Sequence, residues 1–463
     1  MNELKLLTRR AYGVLILTLL LILGLLFFVF RYVKDASVWA EHSFNKHLYT
    51  NGQLKSAGTI YDRNGAILLQ TVDGNLQYNE NSTVRKAMMH AVGDAKGNVV
   101  TSAQVAFREK LTGWDMLNGA FQWENPLDRT KNDLILTLDS ELCTVAYNAM
   151  NGRKGTVGVY NYETGEILCM VSLPTFDPKN PPDVEANPDK YEGVYINRLF
   201  SAAYTPGSVF KLVTAAAALD QFTSIDKRVY QCEGEATING QIVTCPKPHG
   251  NVTLEQALAK SCNVAFAEIS LELGGDTLQK YADKAGFNTR LKVDSIKTAM
   301  GKVSVSDAEG GDLAWAGIGQ YSDTANPLNF MAYVGSIAND GVRVTPRILK
   351  GKGLLSNVSD AGAEKKRILA EETARQLGAM MRNNVINEYG DKNYKGLELC
   401  AKSGTAEVGG DQQPHAWFAG FLDREDCPLA FVVVVENGGS GSKVAGAVAA
   451  KVLKAAVKSM TEQ

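Results

Sequence analysis

No charge of one sign dominates this chain. Its 48 lysines and arginines stand against 50 aspartates and glutamates, a formal net charge of −2. There is no basic stripe either, so nothing in the composition calls for nucleic acid as a partner. Histidine is scarce: the five present form no close-spaced pair such as His-x-x-x-His, and no metal or other cofactor is expected. Seven cysteines suit neither a disulfide scaffold nor a metal cluster. Cys232 and Cys245 bracket a short glycine-containing segment, which leaves a disulfide open, and His249 beside them leaves a metal open. Reduced thiols are the plain expectation. Cys262 reads as a small packing residue, because a thiolate catalyst would need a partner that the sequence does not offer. Repeats and low-complexity tracts are also missing. With 463 residues, 45% hydrophobic and 21% charged, the chain is globular and too long for one ordinary domain.

One long hydrophobic run interrupts this even background. Ala11 to Phe30 is leucine-rich and uncharged, just long enough to span a bilayer. Lys5, Arg9 and Arg10 precede it, and the positive-inside bias then puts the N-terminus in the cytoplasm. No small-residue cleavage site follows the run, which argues against a removed signal peptide. No second span appears, so the remainder is expected outside the membrane. The resulting division is a cytoplasmic tail (1–10), an anchor in the lipid bilayer (11–30), a polar mixed domain (31–135) and a large C-terminal domain (136–463).

Within the polar domain, Val84 to Gly93 suggests a small helix and turn. Leu134 to Leu138 then reads as a strand before a helix through Met150. Thr156–Tyr162 and Glu166–Ser172 flank a glycine turn and predict a hairpin. The segment 174–188 is a proline- and aspartate-rich loop. From Asn263 to about Asn384 the pattern is mostly helical, and three short strands follow at 397–401, 416–421 and 429–436. A glycine-serine loop leads to an amphipathic helix from Val444 to Met460. Strands at both ends with helices between predict one sheet assembled from distant parts of the chain.

Three motifs carry the chemistry: Ser208-Val209-Phe210-Lys211, Ser261-Cys262-Asn263 and Lys402-Ser403-Gly404. Together they offer a nucleophilic serine, a lysine to take its proton, a second hydroxyl with an amide, and a cationic strand with a glycine gap. No piece is specific alone. Ser-x-x-Lys recurs at Ser43, Ser224 and Ser440, and Ser-x-Asn at Ser43 to Asn45. Context separates them. Pro206-Gly207 precedes Ser208 and an alanine-rich apolar run follows, predicting a turn into a buried helix with Ser208 in its first turn. Spacing of i to i+3 puts Ser208 and Lys211 on one helix face. The helix N-terminus favours an anionic oxygen there. Burial among apolar neighbours strips the proton from a lysine, as a general base requires.

The order of these motifs resembles the penicilloyl-serine transferases, the superfamily of penicillin-binding proteins and serine β-lactamases. Tyr204 to Lys211 is similar to the nucleophile segment of the class B, monofunctional penicillin-binding proteins. Ser261 to Phe266 resembles their second motif. Gly317-Ile318-Gly319-Gln320, with Asn326-Pro327-Leu328, resembles their mid-domain signature. Lys402 to Glu407, followed by His415 to Phe421, resembles their third motif and its partner strand. Gly58 to Gly65 resembles the opening of their non-catalytic domain, so the likeness covers nearly the whole chain. Ser403 departs from the usual threonine but keeps the hydroxyl.

The resemblance implies a mixed α/β fold, a mainly antiparallel sheet flanked by helices, with a small N-terminal pedestal (31–135) and one transmembrane helix. It implies a D,D-transpeptidase that cross-links the D-Ala-D-Ala stem peptides of peptidoglycan and is acylated by β-lactam antibiotics. Ser208, Lys211 and Ser261 would be catalytic. Asn263, Lys402, Ser403, Gly404 and Thr405 would bind substrate, with backbone N–H groups of Ser208 and Thr405 as the oxyanion hole. Gly404 would leave room for substrate against the strand. A membrane-embedded glycan polymerase of the SEDS type is the implied partner. The segment between anchor and first strand is too short for a glycosyltransferase domain. The rival readings are a membrane-anchored β-lactamase, a D,D-carboxypeptidase and a non-catalytic scaffold. Between Asn263 and Lys402 there is no Glu-x-x-Leu-Asn to activate water; the Glu124-Asn125-Pro126-Leu127 segment lies before the nucleophile and is unsuitable. A pure scaffold would have no reason to keep all three motifs.

Overall fold

The computed structural model of the chain describes residues 2–40, 49–50, 53–54, 57–72, 75–112, 132–350 and 363–462. Ser43, its Ser-x-Asn partner Asn45, and Glu124 lie outside the described residues. The chain divides into two compact units: residues 1–59, 70–77 and 107–134, and residues 60–69, 78–106 and 135–463. The smaller unit contains helix α1 (Asn2–Ala40), of which Glu3–Asp35 is long and apolar enough to cross a membrane. Its leucines and phenylalanines are exposed along the whole run, which fits a single-pass anchor. Residues 60–69 and 78–106, grouped with the pedestal by sequence, cluster with the larger unit.

In the larger unit, α2 (Ser82–Val92) starts where the Asn81 side chain accepts from the Thr83 and Val84 N–H groups, and it stops at Gly93 with φ +108°. α3 (Ser140–Met150) is capped in the same way by Asp139. Strands β1 (Gly155–Asn161) and β2 (Ile167–Leu173) form the expected hairpin. α4 (Lys211–Gln221) follows the nucleophile turn, and residues 211–218 are all buried. Then come four short strands, β3 (Tyr230–Cys232), β4 (Glu235–Ile238), β5 (Gln241–Thr244) and β6 (Gly250–Val252). Two antiparallel pairs, β4 with β5 and β3 with β6, make them a flap.

The stretch predicted as mostly helical contains α5 (Asn263–Leu273), α6 (Pro327–Ala338) and α7 (Glu371–Asn384), but also short strand pairs such as Lys292–Val293 with Ile296–Lys297. The last strands are β7 (Leu399–Ala406), β8 (His415–Leu422) and β9 (Leu429–Val435), ahead of α8 (Gly446–Thr461). β7 runs past Ala401, so the third motif lies on the strand itself. The sheet order is β7–β8–β9–β1–β2, antiparallel throughout. All of β9 is buried, as a valine-rich central strand covered on both faces should be. α3 and α8 pack on each other and on the sheet, while α6 packs on β9. β7 is one of the two edge strands, with one row of N–H and C=O groups outside the ladder.

Candidate active site

The nucleophile turn is built by close backbone approach. Residues 207–209 form a 3-10 turn, so Ser208 sits just before α4 and not in its first α-helical turn. Gly207 has φ +58° and its N–H donates to the Gly319 carbonyl at 2.8 Å. A Cβ on Gly319 would fall 2.1 Å from the Gly207 carbonyl oxygen, which explains the glycine of the mid-domain signature. Tyr204 bridges to Ala325, and Trp417 Nε1 donates to the Thr205 carbonyl at 3.0 Å. The serine is thus fixed from both the helical and the sheet side.

Lys211 is completely buried and its ammonium gathers the first two motifs. Nζ donates to Ser208 Oγ at 3.2 Å, to the Ser261 carbonyl at 2.7 Å, to Ser261 Oγ at 3.2 Å and to Asn263 Oδ1 at 2.7 Å. Ser261 can offer carbonyl and hydroxyl together because its backbone is left-handed, φ +54°. Burial pushes Lys211 down to about 7, a trend the Cys262 and Cys245 sulfurs only partly oppose. An amine so placed exchanges protons near neutrality.

Lys402 faces inward. The cationic strand of the third motif carries this side chain fully buried, with Nζ donating to Ser261 Oγ at 3.1 Å and to the Ser403 carbonyl at 2.9 Å. Burial, then the Lys211 charge, hold it well below its ordinary value. Two amines therefore share one hydroxyl, and charging both at once is unfavourable. Strand alternation puts Ser403 and Thr405 on the face opposite Lys402 and Gly404. Ser403 is half-buried and Thr405 exposed, so these hydroxyls are the accessible ones. Gly404 also differs from expectation. A Cβ there would meet the Pro206 carbonyl at 2.8 Å and Val209 at 3.1 Å; the glycine makes room for the nucleophile turn.

Tyr389 escaped the sequence reading. Its hydroxyl accepts from both Ser403 N–H and Ser403 Oγ at 3.0 Å, and its ring meets Phe418 edge-on at 5.5 Å. The Ser403 N–H thus points off the free edge of β7. Two residues along, the Thr405 N–H points the same way. Glu436 is a second omission: it accepts from Arg198 Nε at 2.6 Å and Tyr204 Oη at 2.7 Å, bracing the nucleophile segment. Neither belongs to a short motif, so no local signal marked them.

The competing serines lack such surroundings. Ser440 caps a turn by accepting from the Lys443 N–H at 3.4 Å, and Ser224 precedes the 3-10 turn Ile225–Lys227. Cys262, read as a packing residue, is brought beside Cys245 at 3.9 Å, and Cys232 lies 3.4 Å from His249 Nδ1.

Known proteins resemble the chain over most of its length. The penicillin-binding protein transpeptidase domain matches residues 155–454. The peptidoglycan D,D-transpeptidase PbpA of Mycolicibacterium smegmatis is 32% identical over 352 residues, covering 69% of this chain and 71% of that protein. The D,D-transpeptidase domain of a peptidoglycan glycosyltransferase from Eggerthella lenta superposes with a TM-score of 0.74 at 26% identity, covering 88% of this chain and 100% of that one. Penicillin-binding protein A from M. tuberculosis, solved as its penicillin G acyl-enzyme complex, gives a TM-score of 0.70 at 25% identity, covering 88% and 100%. The chain belongs to the penicillin-binding protein transpeptidase family, as a class B D,D-transpeptidase of the serine acyltransferase type.

Proposed function

We propose that this chain cross-links peptidoglycan by acyl transfer from D-Ala-D-Ala stem peptides, and that β-lactams block it by acylating the same serine. One observation carries the assignment of roles: Lys211 Nζ lies within hydrogen-bonding reach of Ser208, Ser261 and Asn263 at once. Ser208 Oγ attacks the penultimate carbonyl while Lys211 takes its proton. Ser261, held between Lys211 and Lys402, passes a proton to the leaving nitrogen, and D-alanine departs. An amine from a second stem peptide then attacks the ester carbonyl, and Ser208 leaves with a proton. Asn263 shifts its Oδ1 between Lys211 and the substrate amide. Ser403 and Thr405 receive the terminal carboxylate, with Lys402 behind the strand adding positive charge once that anion arrives. The Ser208 and Thr405 N–H groups form the oxyanion hole, a donor of this kind lowering the barrier by about 3 kcal/mol. Gly404 supports this by letting the two backbones meet.

Residues 1–10 form the cytoplasmic tail, α1 anchors the chain, and the pedestal assigned to residues 31–135 engages a membrane-embedded SEDS-type glycan polymerase. The basic residues Lys5, Arg9 and Arg10 before the apolar run support that orientation. The test is intact-mass spectrometry of the protein after brief penicillin exposure, followed over hours, with Ser208→Ala alongside. One persistent adduct on Ser208, absent from the variant, is expected. Rapid adduct loss with drug turnover would replace the reading with a β-lactamase.

A further inference from the structure

Every second residue of β7 turns its N–H and C=O away from β8, toward the free edge. One stretch of chain covers that edge position by position. At the end of α7, Arg382 Nη1 donates to the Leu399 carbonyl at 3.2 Å, and Asn384 Nδ2 donates to the Ala401 carbonyl at 3.0 Å. Two residues further along β7, Tyr389 on the π-helical turn Val385–Gly390 takes the Ser403 N–H, while Lys402 Nζ takes the Ser403 carbonyl. Side chains of this kind keep an exposed edge from pairing with another strand. The row ends at Ser403. The next edge residue, Thr405, is exposed.

Ladder geometry turns that stop into a limit on length. In an antiparallel pair, a residue exchanges both hydrogen bonds with the residue opposite, and the next such pair lies two residues along. A peptide whose scissile carbonyl accepts from the Thr405 N–H therefore meets Ser403 with the second residue beyond the scissile bond. The carbonyl oxygen of that residue would need the place of Tyr389 Oη, which already accepts from the Ser403 N–H at 3.0 Å. One residue beyond the scissile bond fits, with its terminal carboxylate beside the Ser403 and Thr405 hydroxyls. Two do not. The phenol is held in place by a second bond, from Ser403 Oγ at 3.0 Å, and by the edge-on contact of its ring with Phe418 at 5.5 Å. Burial raises its acid above the ordinary phenol value, so it stays uncharged next to a carboxylate.

We propose that Tyr389 is a specificity-determining residue, an end-stop on the free edge of β7 that confines the enzyme to peptides with a single-residue leaving group. The inference rests on the proposed acyl transfer, because it takes its register from the Thr405 N–H. It adds the reason why a longer C-terminal extension is refused.

The test uses the full chain in detergent and two thioester probes. One is N-benzoyl-D-alanyl thioglycolate, whose leaving group ends in a carboxylate one residue past the scissile bond. The other carries an additional glycine on the thioglycolate. Release of the thiol gives kcat/KM for each. Wild type should favour the short probe by about 30-fold, the worth of the two Ser403 hydrogen bonds that the long probe must displace. Tyr389→Ala should shrink that preference to about 3-fold or less, by raising kcat/KM for the long probe. Tyr389→Phe keeps the ring and removes the acceptor, so the preference should fall to about 3- to 10-fold. Tyr389→Phe decides the question if Tyr389→Ala gives no Ser208 adduct with penicillin. A merely structural role would slow both probes alike and leave their ratio untouched. That result, or equal use of both probes by wild type, would overturn the end-stop while a penicillin adduct on Ser208 kept the acyl-transfer reading standing. Absence of that adduct from wild type would sink the acyl-transfer reading, and the end-stop with it.

Discussion

β9 has seven consecutive buried residues, Leu429 to Val435, whereas the flap strands β4 and β5 bury only Val243. Both regions hold catalytic groups. Lys402 and Thr405 ride on β7 in the packed sheet, and Ser208 stands on a turn pressed against that strand. Ser261 and Asn263 lean instead on the flap, through Thr244 and Cys245. Apolar burial is distributed over many contacts and fails only when the domain unfolds. A few directional contacts can open locally at much lower free energy. The first and third motifs are thus set by packing alone, whereas the second starts a buried helix, α5, and adds a polar and sulfur clasp to the flap through Asn263, so the clasp is where activity can be lost without losing the fold.

The largest expected effect falls on Lys211, where the two regions meet. Lys211→Ala should cut penicillin acylation by about 10³-fold, the middle of the range for general base catalysis, measured as the rate of adduct formation. In wild type, the base must be neutral. Lys211 lies near 7, so acylation should fall as pH drops through 7 and level off above it. A profile flat down to pH 5 would exclude Lys211 as the base. Stability follows the same group: the unfolded chain keeps this proton up to its ordinary 10.5, so between about 7 and 10.5 rising pH favours the folded state.

Next comes a direct contrast. Phe418 is fully buried on β8, and Phe418→Ala should lower global stability by about 3–5 kcal/mol in denaturant unfolding. Val243→Ala should leave that transition nearly unchanged while speeding amide hydrogen exchange within residues 230–252. If instead Val243→Ala shifts the global midpoint as much, the flap is part of the cooperative core and the comparison fails. Smaller still is Tyr389→Phe, which removes one acceptor from Ser403. It should weaken turnover of a D-Ala-D-Ala peptide about 3- to 10-fold, the worth of one hydrogen bond, with the fold intact.

What the sequence made legible were features whose chemistry is local. Ser208 and Lys211 are one helical step apart, and the valine run of β9 can only be a buried strand. The hairpin β1–β2 announces itself at Gly165, and the anchor by its length. Directions were harder. Alternation along β7 separates Lys402 from Ser403, but only the fold says that the lysine side faces Ser261. Gly404 and Gly319 were recognisable as required glycines, while the backbones that require them come from Pro206 and Gly207, far away in sequence. Tyr389 lies on a π-helical turn after α7 and meets Ser403 through tertiary packing alone. Three cysteines and one histidine fall within residues 232–262, which is a signal. Reading it needed the fold to turn the start of α5 toward the flap.

The packed side holds one exception, and it gives the smallest but sharpest test of the comparison. Asp323 is fully buried in the segment where Thr324 bridges to Lys302 and Ala325 to Tyr204. Among the described residues, no protein group hydrogen-bonds either of its carboxylate oxygens. Burial raises its acid from an ordinary 3.8 to about 8. The folded chain then binds a proton that the unfolded chain releases, so this group costs stability progressively as pH rises from about 4 to about 8. Asp323→Asn keeps the shape and removes the charge. It should raise stability at pH 8 by about 1–3 kcal/mol, with a smaller gain at pH 5, read as the difference in thermal midpoint at the two values. Equal gains at both would mean that the acid never titrates in this range. A loss at pH 8 would mean that the carboxylate is needed, and that a polar clasp also holds the side of the site assigned to packing.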